Sequence, residues 1–318
     1  MKNELKLGSL LVVAALVIAF PLEATAQRYR GSSQIDTTVR LDRGGVVDLS
    51  LISGRIRVTG WDRPEVKISA SIDRGLLRLD ANSSRVTLNV DQSDDRRGSG
   101  HHDVGEARYE VSVPRGSRLI LEAVSGDVSA SGSQGEIEAT SVSGDVDVAN
   151  GVREVSVESV SGSAHASQIN GNLRAESVSG DVRVENVTGN VEASSVSGSI
   201  RLIGVQSKDV RTETVSGDVV YTGSIEPGGR YSFESHSGNV RLSIPRGAGA
   251  QFSVETFSGD ITTDFPVTVP PTTGRGRDRD GRMDFTIGDG RARVTAQTFS
   301  GRIVINSGSD STIRRDDE

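Results

Sequence analysis

Carboxylates recur directly after a glycine at a nearly constant spacing along this chain. The five-residue sequence VSGDV occurs four times and carries the acids Asp127, Asp145, Asp181 and Asp218. Two such carboxylates could flank a glycosidic bond, and a column of them could bind a cation such as Ca²⁺. A catalytic motif normally occurs once, however, whereas a motif that recurs at a fixed period is typical of a repeat architecture.

Two interpretations of the repeated acids remain open. In the first, Asp and Ser side chains hydrogen-bond nearby backbone groups at turns, which is their common role there. In the second, the acids form a column of cation sites. The calcium-binding nonapeptide repeat also has two halves per 18-residue coil, but its paired glycines are missing here and Asp follows Gly directly. We therefore favour turn contacts and predict no metal and no other cofactor.

Other residues that could do chemistry are few. The chain has no Cys, which excludes thiol catalysis and disulfides, and its net charge of −7 disfavours nucleic acid as a partner. His101, His102 and Asp103 could be metal ligands, but adjacent side chains in an extended segment point apart, so a solvated loop is favoured. Trp61 is interpreted as a cap on the core, with a sugar-binding platform as the alternative. No catalytic residues are predicted.

The motif recurs with an 18-residue period. Ser-Gly pairs keep this period from Ser125 to Ser197, and the next spacings are 19, 21 and 21. Many glycines also fall on a nine-residue lattice, which predicts two strand-and-turn halves per coil. Val occurs two residues before and two residues after the glycine, as in Val142 and Val146, and we expect both to point inward. The glycines are predicted to occupy the bends, where a Cβ would clash or φ must be positive: Gly126, Gly144, Gly162, Gly180, Gly198 and Gly217.

This pattern predicts an all-β fold, a parallel β-solenoid resembling a right-handed β-helix, with about 18–21 residues per coil. No coil can bury its apolar face alone, and stacked coils bury it together. If every period from Ser53 to Ser300 is a coil, the rod has about a dozen coils and is about 55–65 Å long. A β-sandwich is the competing fold, but a sandwich has no reason to keep identical coil lengths.

A solenoid aligns equivalent residues of successive coils into columns. The acids after the repeat glycines would form one outward column, and Asp147, His165, Arg183 and Arg201 would form another beside it. The candidate binding surface therefore consists of Asp127, Asp145, Asp181, Asp218, Asp147, Arg183 and Arg201.

The N-terminus is typical of a secretory signal peptide over residues 1–26. Lys2 and Lys6 precede an apolar run, and Ala24-Thr25-Ala26 fits the cleavage pattern. An uncleaved anchor is the less favoured alternative, because the run is short for a membrane span. No second hydrophobic segment follows, so the mature chain is predicted to be exported without a transmembrane segment and to be periplasmic, secreted or associated with the cell surface.

The remainder is predicted to be one solenoid domain, 27–306, followed by a disordered tail, 307–318, with almost no apolar residues. Two polar excursions interrupt the repeat, near 91–104 and near 266–282, and both are interpreted as exposed loops.

Three segments, 52–70, 109–130 and 288–305, together with the VSGDV repeat, resemble the DUF4097 family of candidate adhesins with β-strand repeats. The resemblance covers nearly the whole chain after residue 26. It implies a right-handed parallel β-helix-like solenoid that is exported or membrane-associated, and it supplies no catalytic residues. Some members are linked to the envelope stress response.

We therefore expect a non-enzymatic exported repeat protein, either an adhesin or a binding or structural module of the cell envelope. Its partner would be an unknown envelope polymer or protein, and its oligomeric state is not predicted. An accessory or scaffold protein of the envelope stress response is the alternative. A polysaccharide-active enzyme is less favoured, since nothing in the sequence marks one coil as special.

Overall fold

The computed structural model describes residues 27–91, 104–266 and 281–308. Within these ranges 25 strands form one continuous sheet and no helix occurs. Most pairings are parallel and stack coil upon coil, which confirms the predicted all-β parallel solenoid. The predicted signal peptide, most of both predicted loops with His101, His102 and Asp103, and residues 309–318 of the predicted tail lie outside the described residues.

The N-terminal part combines parallel and antiparallel strands: β1 (Gln27–Ser32), β2 (Gln34–Arg40), β3 (Val46–Trp61), β4 (Glu65–Ile72), β5 (Leu77–Ala81), β6 (Arg85–Val90), β7 (Ala107–Pro114) and β8 (Arg118–Ser131). Strand β3 pairs in parallel with β6, β7 and β8, whereas β2 and β7 pair with β4 in antiparallel fashion. Ser53 lies directly beside Ser125 in the ladder. The long sequence interval between them is therefore one step with an inserted antiparallel region, and the expectation that it holds several stacked coils was wrong.

Twelve short strands form the regular coils: β9 (Ile137–Ser141), β10 (Val146–Ala149), β11 (Val155–Ser159), β12 (Ala164–Asn170), β13 (Leu173–Ser177), β14 (Val182–Thr188), β15 (Val191–Ser195), β16 (Ile200–Val205), β17 (Asp209–Ser216), β18 (Val219–Gly223), β19 (Arg230–Ser237) and β20 (Val240–Ile244). Each coil contributes two strands, and each strand pairs in parallel with the equivalent strand of the next coil. Val155 thus lies beside Leu173, its counterpart one repeat later in the sequence.

The C-terminal strands do not follow chain order: β21 (Ala250–Ser258), β22 (Ile261–Thr263), β23 (Arg282–Ile287), β24 (Ala292–Ser300) and β25 (Ile303–Ser307). Strand β24 is inserted between β19 and β21, and β25 between β20 and β22. The last coil of the chain therefore lies inside the stack, beneath the coil that precedes it in sequence.

Ten glycines lie above one another at the same corner of successive coils, and we call them the repeat glycines. In spatial order they are Gly54, Gly126, Gly144, Gly162, Gly180, Gly198, Gly217, Gly238, Gly301 and Gly259. At the usual strand spacing these levels span about 43 Å. The expected dozen coils was an overestimate, because two long sequence intervals are insertions and not stacked coils.

The core is one continuous cluster of alternate residues from both strands of every coil. In the regular coils it consists mainly of Val and Ala, such as Val155, Val157, Leu173 and Ala175, all of which are buried as their alternation predicts. Each coil is thin, so the ladder of backbone hydrogen bonds between coils supplies much of the cohesion.

Candidate functional site

The VSGDV sequence forms a corner between the two strands of a coil, and the alternation of inward and outward side chains reverses there. Val146, two residues after Gly144, is fully buried, but Val142, two residues before it, is 47% exposed. The prediction that both valines point inward was wrong for the first one. The last side chain that points inward before the corner is that of Ser141. Ser141 and Val146 are five residues apart, whereas strict alternation separates inward side chains by an even number of residues. The alternation therefore does not continue through the bend.

Glycine is required at the corner because adjacent coils approach closely. A Cβ on Gly180 would lie 2.2 Å from the carbonyl oxygen of Gly162, and one on Gly144 would lie 2.3 Å from that of Gly126. Neither residue has a positive φ, so the close approach of the backbone is the physical reason at these positions. Among the ten repeat glycines, only the two outermost, Gly54 and Gly259, combine a positive φ with a close approach to the backbone of the adjacent coil.

Buried hydroxyl groups form hydrogen bonds between adjacent coils at eight of the ten corners. The hydroxyl of Ser177 donates to the carbonyl oxygen of Gly162 at 2.8 Å and accepts the N–H of Gly180 at 2.9 Å. The same position, three residues before the glycine, carries a buried Ser or Thr in eight coils: Ser141, Ser159, Ser177, Ser195, Thr214, Ser235, Thr256 and Thr298. The sequence analysis missed this ladder, although its 18-residue recurrence was visible in the first Ser of SVSG.

The acids after the repeat glycines bond to the backbone of the next coil. Asp145 accepts the N–H of Ser163 at 2.8 Å, and Asp181 accepts that of Ser199 at 2.8 Å. Asp218 accepts the N–H of Asn239 at 2.8 Å. Each bond joins two residues at the same position of adjacent coils, so one carboxylate oxygen at each of these levels is already occupied by the architecture.

Three acids of this column also form ion pairs, the longest being that of Asp260 with Arg302 at 3.9 Å. Asp127 lies 3.0 Å from Arg55, and Asp218 lies 3.1 Å from Arg241. Burial raises the pKa of Asp218, but the hydrogen bonds from Asn239 and the charge of Arg241 outweigh burial, so its pKa lies below the ordinary value. Asp218 is therefore held in its ionised form.

The structure brings five of the predicted surface residues together. Asp145, Asp147, Asp181, Arg183 and Arg201 line a shallow depression of about 280 Å³ in the middle of the rod. Asp127 and Asp218 lie outside it, on the same edge but at other levels. The depression presents both signs of charge on adjacent columns, which suits a polar ligand with several contact points along its length.

His165 lies in the same depression. Its Nδ1 is 2.9 Å from Oδ1 of Asp147, and this hydrogen bond raises the pKa of His165 against the opposing effect of partial burial. Arg183 pairs with Glu185 at 2.5 Å along its own strand. The charges in the depression are therefore partly neutralised, and His165 adds a positive charge only when its imidazole is protonated.

No metal site is formed in the described part of the chain, and the Trp61 ring contacts two of its neighbours. Within residues 27–91, 104–266 and 281–308, no group of three or more His, Asp or Glu side chains is placed to hold a metal ion. The guanidinium of Arg63 lies 5.0 Å from the ring centroid of Trp61, and the indole N–H donates to the carbonyl oxygen of Glu65 at 2.7 Å. One face of the indole is thus covered by its neighbour.

The fold and the repeated corner define the class of this molecule as a β-solenoid repeat protein. Its sequence matches the model of the Toastrack DUF4097 family over residues 46–306, and the chain belongs to that family. The predicted family resemblance is confirmed.

In the described ranges, no helix has the length and apolar character needed to cross a membrane.

Similarity to individual proteins is weak. A solved structure of a candidate cell adhesion protein from Clostridium sporogenes is similar to this chain, with 11% sequence identity and a TM-score of 0.25. The match covers 86% of this chain and 99% of the other. A comparison with curated proteins finds no significant match.

Proposed function

We propose that the protein is a non-enzymatic, exported binding or structural module that presents its repeated outer columns to a polymer or protein of the cell envelope. The observation that carries the proposal is the depression formed by Asp145, Asp147, Asp181, Arg183 and Arg201. Parallel stacking sets equivalent side chains about 4.8 Å apart along the rod, so a long ligand meets polar or charged groups at regular intervals. Asp127 and Asp218 extend the same edge in both directions.

The roles of the carboxylates support binding rather than catalysis. A glycosidase needs one pair of carboxyl groups set apart by their surroundings, an acid and a base or nucleophile. Asp145 and Asp181 instead have the same environment, since each accepts a backbone N–H from the next coil at 2.8 Å. Repetition of one environment favours a repeated contact surface.

The test measures binding of the purified mature chain to cell envelopes isolated from the producing organism. The double variant Arg183→Glu/Arg201→Glu reverses two charges of the depression, and we expect it to weaken binding by about tenfold or more. The matched control, Arg230→Glu/Arg291→Glu, reverses two exposed arginines that lie outside the depression and is expected to bind as the parent does. Equal binding by all three proteins would overturn the proposal.

Two further readouts separate the alternatives. Release of soluble sugars from the envelopes, lost in Asp145→Asn/Asp181→Asn, would replace the binding module with an enzyme. Crosslinking in cells that captures only inner-membrane signalling proteins would replace it with an envelope-stress scaffold. Fractionation of the tagged full chain tests export, and a purely cytoplasmic location would contradict that part of the proposal.

A further inference from the structure

A line of exposed apolar side chains runs along the rod on the other side of the repeat glycines from the Asp column. The residues two positions before the glycines are valines in six successive coils, and each is between 43% and 50% exposed. Aromatic rings continue the line at the C-terminal end, where Phe257 is 78% exposed. We call this line the apolar ladder, in spatial order Val124, Val142, Val160, Val178, Val196, Val215, His236, Phe299 and Phe257.

The rings of the ladder stack on one another. The centroid of Phe299 lies 4.7 Å from that of Phe257 and 5.0 Å from that of His236, and the rings are nearly parallel. Stacking therefore occupies both faces of Phe299 and one face each of His236 and Phe257. Six of the nine side chains of the ladder are valines, which offer no ring face to a sugar, so the ladder as a whole suits aliphatic or aromatic side chains of a partner.

A column of carboxylates runs beside the ladder, and we call the strip between the two columns the groove. The residues four positions before the glycines form a second column that contains no Lys or Arg, and its acids are Glu122, Glu158, Glu176, Glu213, Glu234 and Glu255. Two cavities lie along the groove, one of about 610 Å³ beside Val124 and Val142, which Arg78 also lines, and one of about 780 Å³ beside Phe257 and Phe299.

These acids are only partly neutralised by neighbouring arginines. Arg174 pairs with Glu176 at 2.7 Å and Arg211 with Glu213 at 3.8 Å. In the described part of the chain, no ion pair involves the other four acids, Glu122, Glu158, Glu234 and Glu255. With the Asp column on its other side, the apolar ladder lies between two acidic columns.

The flanking charges indicate the chemistry of the occupant. A second copy of this chain would bring acidic columns against acidic columns, and an anionic lipid surface would be repelled in the same way. A partner with basic residues on both sides of an apolar stripe gains contacts with all three columns. Exposed apolar lines of this extent on a monomer are typical of interaction sites.

Backbone geometry indicates the shape of the occupant. The groove crosses the strands at right angles, and the backbone groups beneath the ladder already bond to adjacent coils, as the N–H of Val178 does to the carbonyl oxygen of Ser159. An added β-strand would find no partners there. An α-helix satisfies its own backbone, and its pitch of about 5.4 Å is close to the coil spacing of about 4.8 Å. The nine ladder levels span about 38 Å, the length of a helix of about 25 residues.

We propose that this groove binds a basic amphipathic α-helix of another protein, with the apolar stripe of the helix on the ladder and its Lys and Arg side chains against the two acidic columns. This site goes beyond the proposed envelope-binding surface. The Asp column borders both surfaces, whereas the apolar ladder and the Glu column belong to this site alone and Arg183 and Arg201 belong to the other alone. Variants of the ladder and variants of these arginines therefore test the two proposals separately.

The test uses the complete mature chain and a synthetic helical peptide of about 25 residues, with Leu at positions i, i+3, i+4 and i+7 and Lys on both flanks. Fluorescence anisotropy measures its affinity. Two control peptides have the same composition in scrambled order, or the same stripe with Glu in place of Lys. We expect the striped basic peptide to bind at least about tenfold more tightly than either control.

Variants of the protein locate the site. Val142→Thr/Val160→Thr/Val178→Thr keeps the β-branched shape and is expected to weaken binding of the striped peptide by about tenfold or more. The control Val152→Thr alters a valine that is 42% exposed but lies outside the ladder, and its affinity should match that of the parent. Glu158→Gln/Glu234→Gln should weaken binding and reduce its dependence on salt. Arg183→Glu/Arg201→Glu, which adds negative charge beside the Asp column, should bind the peptide at least as tightly as the parent does.

The proposal is overturned if the scrambled peptide binds as tightly as the striped one, or if the folded ladder variants bind as tightly as the parent. It is also overturned if the parent forms a dimer that the ladder variants abolish, or if it binds anionic vesicles more tightly than the peptide. Thermal unfolding identifies any ladder variant that fails to fold, and the glutamine double variant and the peptide controls then decide the outcome.

Discussion

The carboxylate of Asp145 accepts the backbone N–H of Ser163 at 2.8 Å, and the two residues occupy the same position in adjacent coils. One side chain thus joins two levels of the solenoid. The same bond recurs from Ser199 to Asp181 and from Asn239 to Asp218. The repeated acid is therefore part of the architecture, and at Asp218 the second oxygen also pairs with Arg241.

Asparagine should replace the acid in this bond. Asn239 shows the substitution within the chain itself, since its side-chain oxygen accepts the N–H of Arg302 at 3.0 Å. We expect Asp145→Asn to leave the free energy of unfolding nearly unchanged and Asp145→Ala to lower it by about 1 kcal/mol. Urea denaturation measures both. Equal losses in the Asn and Ala variants would show that charge, and not the hydrogen bond, is what matters.

The buried hydroxyl of Ser177 should matter more than the exposed one of Ser161. Ser177→Ala removes a donor to Gly162 and leaves the N–H of Gly180 without its acceptor, so we expect a loss of about 1–3 kcal/mol. Ser161→Ala, at an exposed position of the neighbouring corner, should cost less than about 0.5 kcal/mol.

Threonine provides the positive control at this position. Thr214 donates to the carbonyl oxygen of Gly198 at 3.0 Å in the equivalent place, so Ser177→Thr should retain most of the stability. Equal unfolding midpoints for Ser177→Ala and Ser161→Ala would contradict a structural role of the hydroxyl ladder.

The contact between Asp147 and His165 should make stability depend on pH. Because the hydrogen bond to Asp147 raises the pKa of His165 in the folded protein, protonation favours the folded state. This contribution is complete below the ordinary pKa of 6.5 and is lost as the pH rises through the higher folded-state pKa. NMR titration of the imidazole should give a pKa above 6.5 in the parent and a lower one in Asp147→Asn. An unchanged pKa in the variant would show that Asp147 is not the cause.

The period of the fold could be predicted from sequence because each coil repeats the same local requirements. Gly144, Gly162 and Gly180 recur every 18 residues because the same close backbone contact recurs in each coil. In the structure, a Cβ at each of them would lie within 2.3 Å of a carbonyl oxygen of the adjacent coil. The orientation of Val142 could not be predicted in this way. Strand alternation assumes an extended chain, and the bend at the corner reverses it.

The stacking order of the C-terminal strands also could not be predicted from the local sequence. Nothing near Ser300 indicates that its strand is inserted between those of Ser237 and Ser258, because that order depends on long-range pairing. The surface residues show the same limit. Asp145 and Arg183 could be assigned to neighbouring columns from their spacing, whereas the extended ladder that contains Val142 emerged only once the corner was seen in three dimensions.

The central claim is that the VSGDV repeat forms a coil corner whose glycine cannot be replaced, while its acid can. Thermal unfolding of Gly180→Ala, Asp181→Asn and Gly116→Ala tests it most directly. A Cβ at Gly180 would lie 2.2 Å from the carbonyl oxygen of Gly162, whereas one at Gly116 meets no atom within 4 Å. We predict a loss of about 3 kcal/mol or more for Gly180→Ala and nearly unchanged stability for the other two. Equal stability of Gly180→Ala and Gly116→Ala would contradict the account.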